Sequence, residues 1–83
     1  MSDSKPDMVV LIEHVARAIV ETPDEVSVER FEENGETVLE LIVAEDDVGR
    51  IIGRHGRTAR SLRTILHAAS LRTRKRYQLE IVE

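Results

Sequence analysis

Cysteine is absent from the 83 residues. That excludes a disulfide framework, a thiolate metal site and a cysteine nucleophile. Tryptophan is absent too, and one Tyr and one Phe are the only aromatic residues. Nucleic-acid readers that stack successive bases on aromatic platforms, the OB-fold and RRM types, are therefore poor matches. No apolar run approaches the roughly 18–20 residues that span a bilayer. The polar opening Met1-Ser2-Asp3-Ser4-Lys5-Pro6-Asp7 lacks the apolar stretch of a signal peptide. The expectation is a cytoplasmic chain with no membrane contact. His14, His55 and His67 are too scattered for a metal cage. There is no G-K-[ST] phosphate loop, no HExxH and no Ser-His-Asp arrangement. Enzymatic chemistry is not expected, and no catalytic residue, metal or cofactor is assigned. A chain this short forms one domain and buries only about 60–65% of the surface its unfolded form exposes, leaving no depth for a catalytic cleft.

The charge is unevenly placed. The formal net charge is -4, but residues 1–48 carry 3 basic and 14 acidic side chains, whereas residues 49–83 carry 9 basic and 2 acidic ones. Binding responds to local potential and not to the sum, so the basic half fits a polyanionic partner inside a net-acidic chain. Attraction between the two halves accounts for the same pattern without any partner.

Hydrophobic spacing orders the elements. Residues 1–6 read as a flexible tail and residues 7–83 as a single domain. From Asp7, apolar Met8, Leu11, Ile12, Val15, Ala16 and Ile19 recur at helical steps until Thr22-Pro23 ends the run. Val10 falls on the polar side. Residues 25–43 read as a β-hairpin around Asn34-Gly35, because a type I′ turn needs positive φ at both central residues. That turn sets 33 opposite 36, 31 opposite 38 and 28 opposite 41. Val26, Val28, Leu39, Leu41 and Val43 then share the core face, with Arg30 among them, and Glu29 faces Glu40 on the other side. Glu45-Asp46-Asp47 offers an N-cap and an acidic first turn to a short helix ending at Ile52. A second helix is predicted from about Arg57 to Ser70, with Ala59, Leu62, Ile65, Leu66 and Ala69 on its apolar arc. A basic turn, Arg72-Thr73-Arg74-Lys75-Arg76, leads to a last strand with Tyr77, Leu79 and Ile81 on one side. The order α-β-β-α-α-β describes an α+β domain: a three-stranded sheet with helices packed on one face.

The informative stretch runs Val48-Gly49-Arg50-Ile51-Ile52-Gly53-Arg54-His55-Gly56-Arg57-Thr58. Two helices meet across a turn with glycine at both ends. Glycine permits a tight reversal at positive φ and removes side chains that would hold a ligand's backbone away. The turn opens into a helix N-terminus, whose free N–H groups favour anions. Arg54 and Arg57 add charge-assisted donors. Two glycines three apart also occur in plain helix corners. The apolar pair before the turn, the arginines at 50, 54, 57, 60 and 63, and the surrounding element order favour the ligand reading.

This segment resembles the V-G-R-[VI]-I-G-x-x-G-[RK] core of the KH domain, and the element order resembles the bacterial, type II arrangement. Over residues 7–82 the chain is similar to the bacterial single-KH-domain RNA-binding family, KhpA or YlqC-like. The resemblance implies a non-enzymatic protein that holds about four nucleotides of single-stranded RNA or DNA against the glycine turn. Gly53, Arg54, His55 and Gly56 would clamp phosphates, and Arg50, Arg57 and Arg60 would extend the electrostatic contact. Ile51, Ile52, Ala59 and part of the hairpin or last strand would shape an apolar groove. Ala59 is smaller than the aliphatic residue often found there. The family also implies broad target range, a role as post-transcriptional regulator or RNA chaperone linked to cell shape, and homodimers or heterodimers with a KhpB (EloR)-like KH protein. The alternative is a protein-interaction adaptor, in ribosome assembly or cell division, with secondary RNA contact. Three readings stay open: His55 as a neutral polar residue or a pH-sensitive phosphate contact, Arg72 to Arg76 as a solvated turn or a second phosphate contact, and Ile65 as core or subunit interface.

Overall fold

The computed structural model describes residues 7–83; the predicted tail at 1–6 lies outside the described residues. Helix α1 spans Met8–Ile19. Asp7 caps it, its Oδ1 accepting the Val9 N–H at 3.0 Å and the Val10 N–H at 3.4 Å. Met8, Ile12 and Ala16 are buried at helical spacing, and Val10 is simply exposed. The chain then makes a 3₁₀ turn over Pro23–Glu25. Strands β1 (Ser27–Glu33) and β2 (Glu36–Ile42) form the expected hairpin. Asn34 and Gly35 both take positive φ, 53° and 81°. The register is the predicted one, with Glu33 opposite Glu36, Phe31 opposite Val38 and Val28 opposite Leu41.

Strand β3 (Arg76–Ile81) lies parallel to β2 on its far side, giving the order β1-β2-β3. All helices pack on one face. Met8, Ile12 and Ala16 of α1 meet Leu39, Leu41 and Leu79 of the sheet, together with Ile51, Leu62 and Leu66. This cluster closes one core and removes most of the aliphatic surface from water. The other sheet face is acidic. Glu29, Glu40 and Glu80 stand side by side across the three strands, next to a row in which Phe31 is 45% exposed while Val38, at the centre, is buried.

Two expectations are corrected. Helix α3 runs from Arg57 to Thr73, three residues past Ser70. No proline or glycine interrupts Leu71-Arg72-Thr73, so the helix continues until Arg74 turns left-handed at φ 61° and ψ 23°. Only Arg74 and Lys75 separate it from β3. Ser70 stitches the junction: its hydroxyl donates to the Leu66 carbonyl at 3.0 Å and accepts the Tyr77 N–H at 3.2 Å.

The second correction concerns Asp47. Glu45–Asp47 forms a separate 3₁₀ turn, and helix α2 covers only Val48–Ile52. Asp47 does not cap α2 with its side chain. Its carboxylate is buried, 2% exposed, and reaches back to the end of α1. There Oδ1 accepts the Glu21 N–H and Oδ2 the Thr22 N–H, each at 3.0 Å. Arg50 Nε completes the arrangement at 3.3 Å from Oδ1. One carboxylate thus satisfies two backbone donors that a chain leaving a helix would otherwise strand. Asp47→Ala removes all three acceptor contacts and should destabilise the domain by about 3 kcal/mol. That lowers the thermal midpoint by about 15 °C for a domain of this size; a midpoint within about 2 °C of wild type would mean the contacts contribute nothing net.

Candidate nucleic-acid interface

Helices α2 and α3 meet at the turn Gly53–Gly56, and its backbone can be followed bond by bond. The Gly53 N–H closes α2 on the Gly49 carbonyl at 2.9 Å, and the Gly56 N–H returns to the Gly53 carbonyl at 3.0 Å. Gly53 takes φ 78° and ψ 168°, a region essentially confined to glycine. A Cβ there would also lie 2.7 Å from Thr58 Cβ and 2.9 Å from the Thr58 N. Gly53 is therefore required by the fold. Gly56 differs. It is left-handed at φ 73°, but a Cβ built on it meets nothing within 4 Å. The absent side chain opens space toward the outside and not toward the core. His55, between them, is left-handed as well, at φ 58° and ψ 24°.

Gly56 stands at the N-cap of α3, and no side chain caps that end. The Arg57 N–H bonds back to the Arg54 carbonyl, and the N–H groups that follow it in the first turn meet no capping side chain, at the positive end of a 17-residue helix. Arg54, His55, Arg57 and Arg60 are all exposed around it. Among the described residues, no carboxylate lies within 4.0 Å of the guanidinium of Arg54, Arg57, Arg60 or Arg63. Arg50 is placed otherwise. Its guanidinium contacts Asp47 and sits 3.0 Å from Glu21 Oε2, so much of its charge is answered within the fold.

Beside the turn lies an open groove of about 440 Å³. Ile52, Gly56 and Ala59 line its apolar side, Arg60 and Arg63 a cationic flank, Ile81 the wall supplied by β3, and the carboxylate residue Glu83 lines it as well. The two isoleucines before the turn thus separate. Ile52 faces the groove, whereas Ile51 is fully buried in the core. The last strand borders the groove, and the hairpin does not. Arg63 and Ile81 line the groove without having been named individually as contact residues. Arg63 is among the arginines counted near the turn, and Ile81 is covered only by the expectation that part of the hairpin or last strand shapes the groove. His14 and His67 are exposed, and the described residues contain no cluster of His or carboxylate groups suited to a metal ion. No helix among them is long and apolar enough to cross a membrane.

The sequence resembles those of known proteins. The sequence profile of the family described as "KhpA/KhpB, KH domain" matches residues 10–81. The chain is 48% identical over 73 residues to the RNA-binding protein KhpA of Treponema pallidum, covering 88% of this chain and 91% of the relative. It is 40% identical over 76 residues to the RNA-binding protein KhpA of Halalkalibacterium halodurans, covering 92% and 100%. The RNA-binding protein KhpA of Bacillus subtilis is 38% identical over 73 residues, at 88% and 90% coverage. These relatives are named as RNA-binding proteins. With a glycine turn between two helices, a three-stranded sheet behind it and a match across nearly the whole chain, this protein belongs to the KhpA/KhpB family of KH domains.

Proposed function

We propose that this protein is a non-enzymatic, cytoplasmic binder of single-stranded RNA, with Gly53–Gly56 as the phosphate seat and the Ile52–Ala59–Ile81 groove as the base seat. One observation carries the reading: the missing Cβ of Gly56 leaves open space at the uncapped start of α3, among guanidinium groups that no carboxylate of the described residues answers. A sugar-phosphate chain approaching there meets backbone N–H groups, a helix N-terminus and cations together. Arg54, His55, Gly56, Arg57, Arg60 and Arg63 make the polyanion contact, and Arg50 contributes through its contacts with Asp47 and Glu21. Phosphate contacts carry no sequence information, and an apolar groove offers few base-edge partners. Both favour a broad target range, as suits a post-transcriptional regulator or RNA chaperone. RNA is preferred over DNA as the ligand because the relatives are named as RNA-binding.

The exposed face of α3 supports assembly. Ile65 is 40% and Leu71 72% exposed, so the core alternative for Ile65 loses support. Ile65, Ala68 and Leu71 form a solvent-facing apolar stripe at helical spacing. A second copy, or a KhpB-like KH partner, covering that stripe is the proposed arrangement.

Four measurements test these statements. Arg54→Asp with His55→Asp should abolish RNA binding in an anisotropy titration while thermal unfolding stays near wild type, since both side chains are exposed. In the wild type, log K should fall with log salt by about 0.7 per phosphate contacted. The two glycines should part company. Gly53→Ala should destabilise the fold by about 2–4 kcal/mol, through its backbone region and Thr58. Gly56→Ala should cost only about 1 kcal/mol of stability yet weaken RNA binding about tenfold or more. Equal binding by Gly56→Ala and wild type would sink the loop assignment. Ile65→Asp should sediment as a folded monomer; an unchanged oligomeric profile would count against the α3 interface.

A further inference from the structure

The open face of the sheet carries side chains that neither the core nor the glycine turn uses. The register lays them out in rows across the three strands. Glu29, Glu40 and Glu80 form the middle row, on strands about 5 Å apart. Among the described residues, none of the three has a cation within 4.0 Å. Like charges directly opposite one another cost stability, and no ion pair within the fold offsets that cost. Apolar side chains flank the row on both sides: Phe31 opposite Val38, and Ile42 with Val82 just past the paired residues of β3. The row nearest the hairpin tip holds Glu33 and Glu36, the latter 3.8 Å from Arg76. Val38 is buried, and pairing with it accounts for one side of Phe31. The residue is nonetheless 45% exposed, and Val82 41%. Strand β1 is an edge strand, so Phe31 stands at the margin of the face.

This face complements the groove. The groove joins apolar Ile52, Ala59 and Ile81 to Arg60 and Arg63, and Glu83 lines it too. Arg57 precedes Arg60 by three residues on α3. Arg57, Arg60 and Arg63 have no carboxylate within 4.0 Å among the described residues. Three residues of a helix rise about 4.5 Å, close to the spacing of strands. Carboxylates stepping across the sheet and arginines stepping along α3 therefore repeat at nearly the same interval. The acidic row lies on the sheet face away from the helices, so it meets the α3 of another copy and not its own.

We propose that the open sheet face of one copy docks on the groove of another in place of RNA, with Phe31 on Ile52, Ala59 and Ile81 and the Glu29–Glu40–Glu80 row along Arg57, Arg60 and Arg63. The inference rests on the RNA-binding reading above, because the groove it covers is the base seat. A ring beside a row of carboxylates offers the groove what a base beside phosphates offers it. The contact runs head to tail, unlike a two-fold pairing of apolar α3 stripes, and leaves Ile65 and Leu71 uncovered. Protein without RNA thus shields its own binding edge, and RNA displaces the neighbouring copy. Exposed ion pairs are individually weak and screened by salt, so the contact forms at high protein concentration and low salt.

Sedimentation velocity on the whole chain tests the docking. At an ionic strength of about 0.01 M, where surface charges act over about 30 Å, the sedimentation coefficient should rise with protein concentration more steeply than at about 0.15 M, where they act over about 8 Å. An apolar α3 pairing contributes alike at both. Excess uridine oligomer of about four nucleotides, the length of one seat, should remove the low-salt increment at matched ionic strength. Glu29→Arg with Glu80→Arg, and Arg57→Glu with Arg60→Glu, alter exposed side chains only. Each variant alone should lose the increment, and their equimolar mixture should regain it, because reversed sheet meets reversed helix. Phe31→Ala should weaken the association about tenfold while binding the uridine oligomer as wild type does. Equal concentration dependence at the two salts, or a mixture that behaves as its separate components, would overturn the docking and leave the RNA reading standing. Phe31→Ala associating as wild type does would also overturn it, since diffuse attraction of charges would then suffice. An increment that persists with the oligomer bound would overturn the competition, and failure of the wild type to bind the oligomer would remove the RNA reading and the competition together.

Discussion

The close approach of Gly53 to Thr58 governs the geometry of the molecule's candidate binding edge. With no Cβ at 53, the chain leaves α2 at φ 78° and passes against the first turn of α3. His55 and Gly56 are both left-handed, so the reversal is complete within four residues. The consequence is a helix start that faces outward with no capping side chain. A capped start would have spent its N–H groups within the fold. Here the Arg57 N–H bonds to the Arg54 carbonyl, and only those after it are left without a capping side chain, the feature on which phosphate recognition at a helix terminus depends.

A second constraint holds that edge in place from behind. Asp47 precedes α2, and its buried carboxylate takes the two N–H groups at Glu21 and Thr22. It thereby ties the exit of α1 to the entrance of α2. Arg50 answers the buried charge from α2 itself. The arrangement explains why one arginine of the cationic run is structural in part while Arg54, Arg57, Arg60 and Arg63 are not. A buried carboxylate needs a partner, and Arg50 is three residues away on the same helical turn.

Layering then resolves the charge. The acidic row Glu29–Glu40–Glu80 crosses the three strands on the open sheet face. The cations lie along the helical layer and its junction with β3. A polyanion is thus attracted to one side of the domain and repelled from the other, although the chain as a whole is net acidic.

Much of this was legible in the amino-acid order, because the signals are local. Helical spacing located α1, Asn34-Gly35 determined the hairpin register, and the two glycines marked the turn. Other features came only with the packed layers. The run Glu45-Asp46-Asp47 read as a cap and acidic first turn, yet the Asp47 carboxylate finds its partners 26 and 25 residues away, beyond the reach of any periodicity. Ile51 and Ile52 are equivalent as apolar neighbours, and the docking of α2 alone decides that one enters the core and the other the groove. Ile65 read as apolar arc, but α3 rotates it to the surface. Arg30 sits at a core-face register position yet is exposed, and the start of α1 and the end of α3 line an open pocket with it. Local propensity and turn chemistry act within a few residues, whereas the site is assembled by the way separate elements pack, and that is where the amino-acid order alone stopped.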